Sequence, residues 1–301
     1  MNLLVTGGTV FASRYTAEYF SVLGHNVYVL NRATKPQSIG VIPIVADRHS
    51  LGDILHSYSF DAVIDVTAYN SDDVSQLIAS LGDFGLYILV SSSAVYPETL
   101  IQPFSENDKT GTNSIWGKYG TDKIAAERKV IESTDNAYII RPPYLCGPMN
   151  NLYREAFVFE CAELERPFYL PNDGSMKLQF CHIGDMCRLI EAIIHDKPDE
   201  HILNVGYPEP TTVKDWVNLC YNIVGKTADY INVDDNIPQR NYFPFYRYEY
   251  ILDVSSMLSV TGSITPLAES LWLSYEWFRK NRDKIIRKPL IDFIDNHLKG
   301  N

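Results

Sequence analysis

The chain lacks what several protein classes need. Its five cysteines (Cys146, Cys161, Cys181, Cys187 and Cys220) are an odd set without C-x-x-C spacing. They read as reduced, mostly buried thiols in a reducing compartment. No run of about 20 apolar residues occurs, and Met1–Thr6 leads straight into a strand with no basic or apolar leader. Neither a membrane span nor a signal peptide is expected, and the chain reads as cytoplasmic. Positive charge is scarce: Lys and Arg total 26 against 37 Asp and Glu, a net charge of -11. Such a surface repels phosphodiester backbones, so no nucleic-acid partner is expected, although a cleft can still attract a small anion. G-x-S-x-G and H-E-x-x-H are absent, and Gly225-Lys226-Thr227 has Cys220 where a P-loop needs its first glycine. His182 has no companions at ligand spacing and reads as a cap or core residue, with Asp185 capping the same helix, so no metal is expected.

What the chain does have is rhythm. Leu3–Thr6, Val27–Leu30, Val41–Val45, Ala62–Val66, Leu86–Val90 and Ala137–Ile140 are unbroken apolar runs, the pattern of parallel strands covered on both faces. Helical stretches lie between them; in 71–81, Val74, Leu77, Ile78 and Leu81 recur at helical spacing behind Asn70 and Ser71. The expectation is an α/β fold: a Rossmann-type doubly wound parallel sheet with a smaller interleaved α/β substrate lobe. The sheet domain is placed at 1–148 plus approximately 176–206, and the lobe at approximately 149–175 and 207–301, folded onto the carboxyl ends of the strands. In the lobe, the aromatic stretch 241–250 reads as packing or as a stacking surface. A helix follows Thr265-Pro266, with Leu267, Leu271, Tyr275 and Phe278 on one side.

The first strand runs into Thr6-Gly7-Gly8-Thr9-Val10-Phe11, and a helical stretch follows. Glycines at a strand-to-helix turn let backbone approach a pyrophosphate held at the helix N-terminus. A full glycine pattern would place two more at Val10 and Ser13. The second strand ends Asn31-Arg32, without the acid that bonds an adenosine ribose; Arg32, with Lys35 nearby, suits a 2′-phosphate. NADP(H) is therefore preferred, with NAD(H) second. Asp47, after the third strand, is placed to accept from the adenine amino group.

Tyr119 and Lys123 are i, i+4 on a helical stretch and share a face. A phenol is about a thousandth ionised at neutral pH, and lowering its pKa by ~3 units takes roughly 4 kcal/mol. A neighbouring ammonium and an oxidised nicotinamide supply that bias, and the Lys123 ammonium can also bond the nicotinamide ribose. Y-x-x-x-K by itself equally describes an exposed helix face. Context favours chemistry: the fifth strand ends Ser91-Ser92-Ser93-Ala94-Val95-Tyr96, placing hydroxyls at a carboxyl end of the sheet, where one can bond the substrate oxygen whose proton Tyr119 handles.

With these motifs the sequence resembles the extended short-chain dehydrogenase/reductase family, the NAD(P)-dependent nucleotide-sugar epimerases and dehydratases. The resemblance rests on T-G-G-T at 6–9, S-S-x-V-Y at 92–96, Y-x-x-x-K at 119–123, R-P-P-Y-L-C-G-P at 141–148, D-G-S at 173–175, F-C-H-I-G-D at 180–185 and N-V-G at 204–206. It implies Tyr119 as acid/base, Lys123 as its partner, Ser92 as the assisting hydroxyl with Ser93 able to share its role, and a sugar or sugar nucleotide as substrate. It also suggests a homodimer. Leu178-Gln179-Phe180 stands where many relatives carry Arg-Asp-Phe or Arg-Asp-Tyr, whose Arg helps grip a nucleotide diphosphate; Lys177 or Arg240 is the expected substitute, with Tyr144 also at the substrate. The second reading is a non-catalytic regulatory or RNA-associated protein on the same scaffold, motivated by Val10 and Ser13 in the glycine loop.

Overall fold

The computed structural model describes residues 1–299. The chain divides into two compact units: Met1–Leu145, Phe180–Pro208 and Tyr250–Ile264 form the first, and Cys146–Gln179, Glu209–Glu249 and Thr265–Asn301 the second.

The first unit is built in the order β1 (Asn2–Thr6), α1 (Phe11–Val22), β2 (Asn26–Asn31), β3 (Val41–Val45), β4 (Phe60–Asp65), α2 (Ser71–Ser80), β5 (Phe84–Val90), α3 (Lys118–Ser133) and β6 (Ala137–Arg141). With the strand Ile202–Asn204 these make a seven-stranded sheet. Its spatial order is Ile202–Asn204, β6, β5, β4, β1, β2, β3, and every pairing is parallel. The order reverses at β1, so the crevice of the sheet opens beyond the ends of β1 and β4. The apolar runs are buried on both faces: Leu3, Leu4, Val5, Val63, Ile64, Ile88 and Leu89 are inaccessible. β3 closes one edge with Pro43 in its middle, where a missing N–H costs no ladder bond and discourages a further strand. α2 starts at Asn70, whose side chain accepts from Asp73 N at 3.0 Å, and Asp72 and Asp73 lie in its first turn.

The segment Tyr250–Ile264 belongs to this first unit, whereas the sequence pattern assigns it to the lobe. Backbone bonds explain its place: Phe104 N donates to Ile251 O, and Asp253 N to Phe104 O, both at 2.8 Å.

In the second unit, Phe168–Pro171 pairs in parallel with Tyr230–Val233, beside helices Glu155–Glu163, Val213–Val224 and Leu267–Lys280. Much of the aromatic stretch is core. Phe243 and Phe245 are buried, Phe243 edge-on to Phe168 and Phe245 edge-on to Trp216. No helix of the described residues is long and apolar enough to cross a membrane.

Candidate active site

The glycine turn is shaped by close approach. Gly7 and Gly8 both have positive φ, 89° and 76°. A Cβ on Gly8 would stand 2.5 Å from Val29 Cγ1, and one on Gly7 would stand 2.8 Å from Ser13 Oγ. Ser13 thus fills the space where the full pattern has a glycine, and its hydroxyl donates to Val10 O at 3.0 Å. Val10 supplies no side-chain cap to α1, and no acid lies in the first turn. The positive end of α1 is left for another anion. Phe11, first in the helix, is buried. Asn31 acts as a brace: its Nδ2 donates to Gly7 O at 2.7 Å, and its Oδ1 accepts from Ala33 N.

Beside this turn lies a groove of about 410 Å³, which brings Thr6, Gly7, Thr9, Asn31, Arg32 and Asp47 together with Arg48, Thr67 and Tyr69. Arg32 is exposed at its rim. One Asp47 carboxylate oxygen accepts from His49 N at 3.0 Å. Gly8, Val10 and Phe11 support the turn without lining this groove.

Behind Thr6 and Arg48, which line the groove, lies a buried group that the strand pattern hides. Asp65 ends β4 fully buried. It accepts from Thr6 Oγ1 at 2.7 Å, from Tyr87 OH at 2.6 Å, and from both terminal nitrogens of Arg48 at 3.1 and 3.0 Å. Burial opposes its ionisation. The Arg48 guanidinium and the three sets of hydrogen bonds outweigh burial, and hold the carboxyl below its usual range. Arg48 also bonds Thr67 Oγ1 and Asp73 O, fixing the loop after β4. The sequence signal was an acid inside an apolar run, with an arginine straight after Asp47.

On the other side of β4, the first turn of α3 presses on the turn after β5. A Cβ on Gly120 would stand 2.5 Å from Ala94 O. Asn113 Nδ2 donates to the same carbonyl at 2.8 Å, and Asn113 Oδ1 accepts from Trp116 N at 2.7 Å. Ser92 caps this turn, its Oγ accepting from Ala94 N at 3.2 Å, and Ser93 is buried beside it. Lys123 is 3% exposed. Its Nζ donates to Val90 O at 3.0 Å, two residues before Ser92, and to Ala68 O at 2.6 Å. The ammonium lies 5.2 Å from the Tyr69 ring, which lines the groove. Burial pushes the Lys123 pKa down to about 8, against the pull of Asp65 and Glu127. Tyr119 is 38% exposed, one turn earlier on the same helix face. Trp116, which sequence reasoning missed, gathers the aromatics: its ring centroid is 6.1 Å from Tyr119 and 6.4 Å from Tyr144.

Lys177 and Arg240 lie in the second unit. Lys177 is exposed, with its backbone N bonded to Glu249 Oε1 at 2.8 Å, and Arg240 lies 4.5 Å over the Tyr246 ring. His182 accepts from Gly184 N and caps its helix, as expected of a structural histidine. Among the described residues no group of three or more His, Cys, Asp or Glu could hold a metal.

The model of the NAD dependent epimerase/dehydratase family matches residues 3–206, and the chain belongs to that family. Chloroplast stem-loop binding protein of 41 kDa b from Arabidopsis thaliana is 24% identical over 284 residues, covering 86% of this chain and 74% of that protein. The 2′-dehydrokanamycin reductase of Streptomyces kanamyceticus is 21% identical over 247 residues, covering 77% and 69%. Among solved structures, MoeE5 in complex with UDP-glucuronic acid and NAD superposes with a TM-score of 0.73 at 21% identity, over 93% of this chain and 99% of that one. That likeness establishes the shared fold.

Proposed function

We propose that this protein is an NAD(P)-dependent oxidoreductase or epimerase acting on a hydroxyl or carbonyl of a sugar or sugar nucleotide, with NADP(H) preferred. One observation carries the reading. The buried Lys123 ammonium, a turn from Tyr119, is fastened to the carbonyl of Val90 at the end of β5, two residues before Ser92, beside a groove that begins at an uncapped helix N-terminus. The residues fit a dinucleotide: Gly7 leaves backbone where a side chain would collide, α1 offers free amides to a pyrophosphate, and Arg32 stands at the rim for a 2′-phosphate. A nicotinamide dinucleotide bound there supplies the hydride donor or acceptor. Tyr119 exchanges the proton of the substrate hydroxyl, and Lys123 lowers the cost of the phenolate. Ser92 holds the substrate oxygen, with Ser93 behind it. Tyr144, Lys177 and Arg240 are assigned to substrate binding, and a homodimer in the cytoplasm is the expected form.

Arg32→Ala is expected to weaken NADPH by about tenfold or more and NADH by less than about twofold, since a charge-assisted bond to phosphate contributes roughly 1.5–3 kcal/mol. Calorimetric titration of each nucleotide measures this, and equal losses would remove Arg32 from that role. A second reading, RNA association without catalysis, is favoured by the stem-loop-binding relative. The net charge of -11 and the presence of both Tyr119 and Lys123 weigh against it. Tight gel-shift of a stem-loop RNA at moderate salt, with no binding of NADPH, would reverse the order.

A further inference from the structure

Tyr119 and Lys123 have a third member on their helix face, Glu127, one turn further along α3. It is 4% exposed, and its carboxylate is fully engaged. Oε1 accepts from Ser91 Oγ at 2.5 Å and Arg141 Nε at 3.0 Å, while Oε2 accepts from Arg141 Nη2 at 2.7 Å. Arg141 Nη1 donates to Tyr96 OH at 2.8 Å, and that hydroxyl donates to Asn204 Oδ1 at 2.8 Å. A buried fork of this kind costs desolvation that apolar packing would avoid, so its geometry asks what it holds. It holds the strand end that the site uses. Lys123 bonds Val90 O, Glu127 bonds the next side chain, Ser91, and Ser92 follows.

We infer that Glu127 is a positioning residue for the Tyr119–Lys123 pair: its carboxylate locks the 90–92 strand end against α3 and sets a negative charge beside the Lys123 ammonium. Its catalytic meaning rests on the proposed function; its test does not.

Lys123 is faced by Asp65 from β4, Arg48 from the loop after β3, Asp73 from α2, and Glu127 from its own helix. Burial depresses the ammonium most, to about 8, and Asp65 and then Glu127 oppose that depression. Loss of the Glu127 charge therefore lowers the midpoint further.

The experiment is an NMR titration of the full chain carrying ¹³C-labelled lysine, with the Lys123 signal assigned by its loss in Lys123→Arg. The wild type is expected to titrate near 8. Glu127→Gln should titrate about 1 unit lower, and Glu127→Asp close to the wild type. Glu127→Gln leaves Arg141 buried alone, so if it does not fold, Glu127→Gln/Arg141→Gln takes its place; that pair removes an anion and its cation together, and a smaller fall is expected because the carboxylate is nearer the Lys123 ammonium in the chain and the loss of Arg141 offsets part of its effect. An unchanged midpoint in the folded single variant, or a raised one in the double variant, overturns the inference, because a merely structural Glu127 would alter melting and leave the titration without the fall. A wild type that binds no NADPH would overturn the proposed function without moving these midpoints.

Discussion

Tyr119→Phe is expected to reduce turnover by a factor of about 10²–10⁴ while NADPH affinity stays within about twofold. The exchange removes one oxygen and leaves the ring, so its contact with Trp116 survives. The helix backbone and the Lys123 bonds to Val90 and Ala68 are made by other atoms. What disappears is the phenolic hydroxyl proposed to pass the proton to a substrate oxygen at the end of β5. The effect should therefore fall on kcat, with the loss shared equally by kcat/KM. Steady-state rates with any sugar or sugar nucleotide the wild type turns over, set beside calorimetry with NADPH, make the comparison. Undiminished turnover would mean that Tyr119 does not carry the proton.

A large loss of stability is expected from Arg48→Met. Arg48→Met strands the Asp65 carboxylate, fully buried, without its cation. Breaking one side of a buried ion pair costs about 3–5 kcal/mol, and equilibrium urea unfolding at neutral pH should show that loss. Arg48→Met/Asp65→Asn should recover much of it, since both charges then leave together. The pH dependence has a definite sign. The folded Asp65 carboxyl lies below its ordinary value, so its stabilisation is present above the unfolded carboxyl's pKa and is lost as pH falls through the folded one. The gap between wild type and Arg48→Met should accordingly narrow in acid. A gap that is small at neutral pH, or that widens on acidification, would show that Asp65 does not depend on Arg48.

These two residues differ in how readable they were. Tyr119 and Lys123 declare themselves by helical spacing, and the sheet by unbroken Val, Ile and Leu runs whose two-sided burial is a local property. Asn70 likewise announces its helix, because a cap acts within three residues. Asp65 sat in view inside the run Ala62–Val66, but its meaning depends on Arg48, Tyr87 and Thr6, which only folding brings to it. Glu127 was hidden in the same way: Ser91 lies 36 positions before it and Arg141 14 after. Ser13 read as a defect in the glycine pattern, whereas its hydroxyl packs beside Gly7 and closes on Val10 O. Tyr250–Ile264 joined the sheet unit through backbone bonds to Phe104, which side-chain patterning does not register. Local periodicity was legible; partnerships across the chain were not.

The groove that runs from the glycine turn to the Tyr69 ring beside Lys123 is proposed to receive a nicotinamide dinucleotide. Isothermal titration of NADPH into the wild-type protein tests it most directly. Saturable binding of one nucleotide per chain is expected, with NADH weaker. No binding of either nucleotide at millimolar concentration would contradict it.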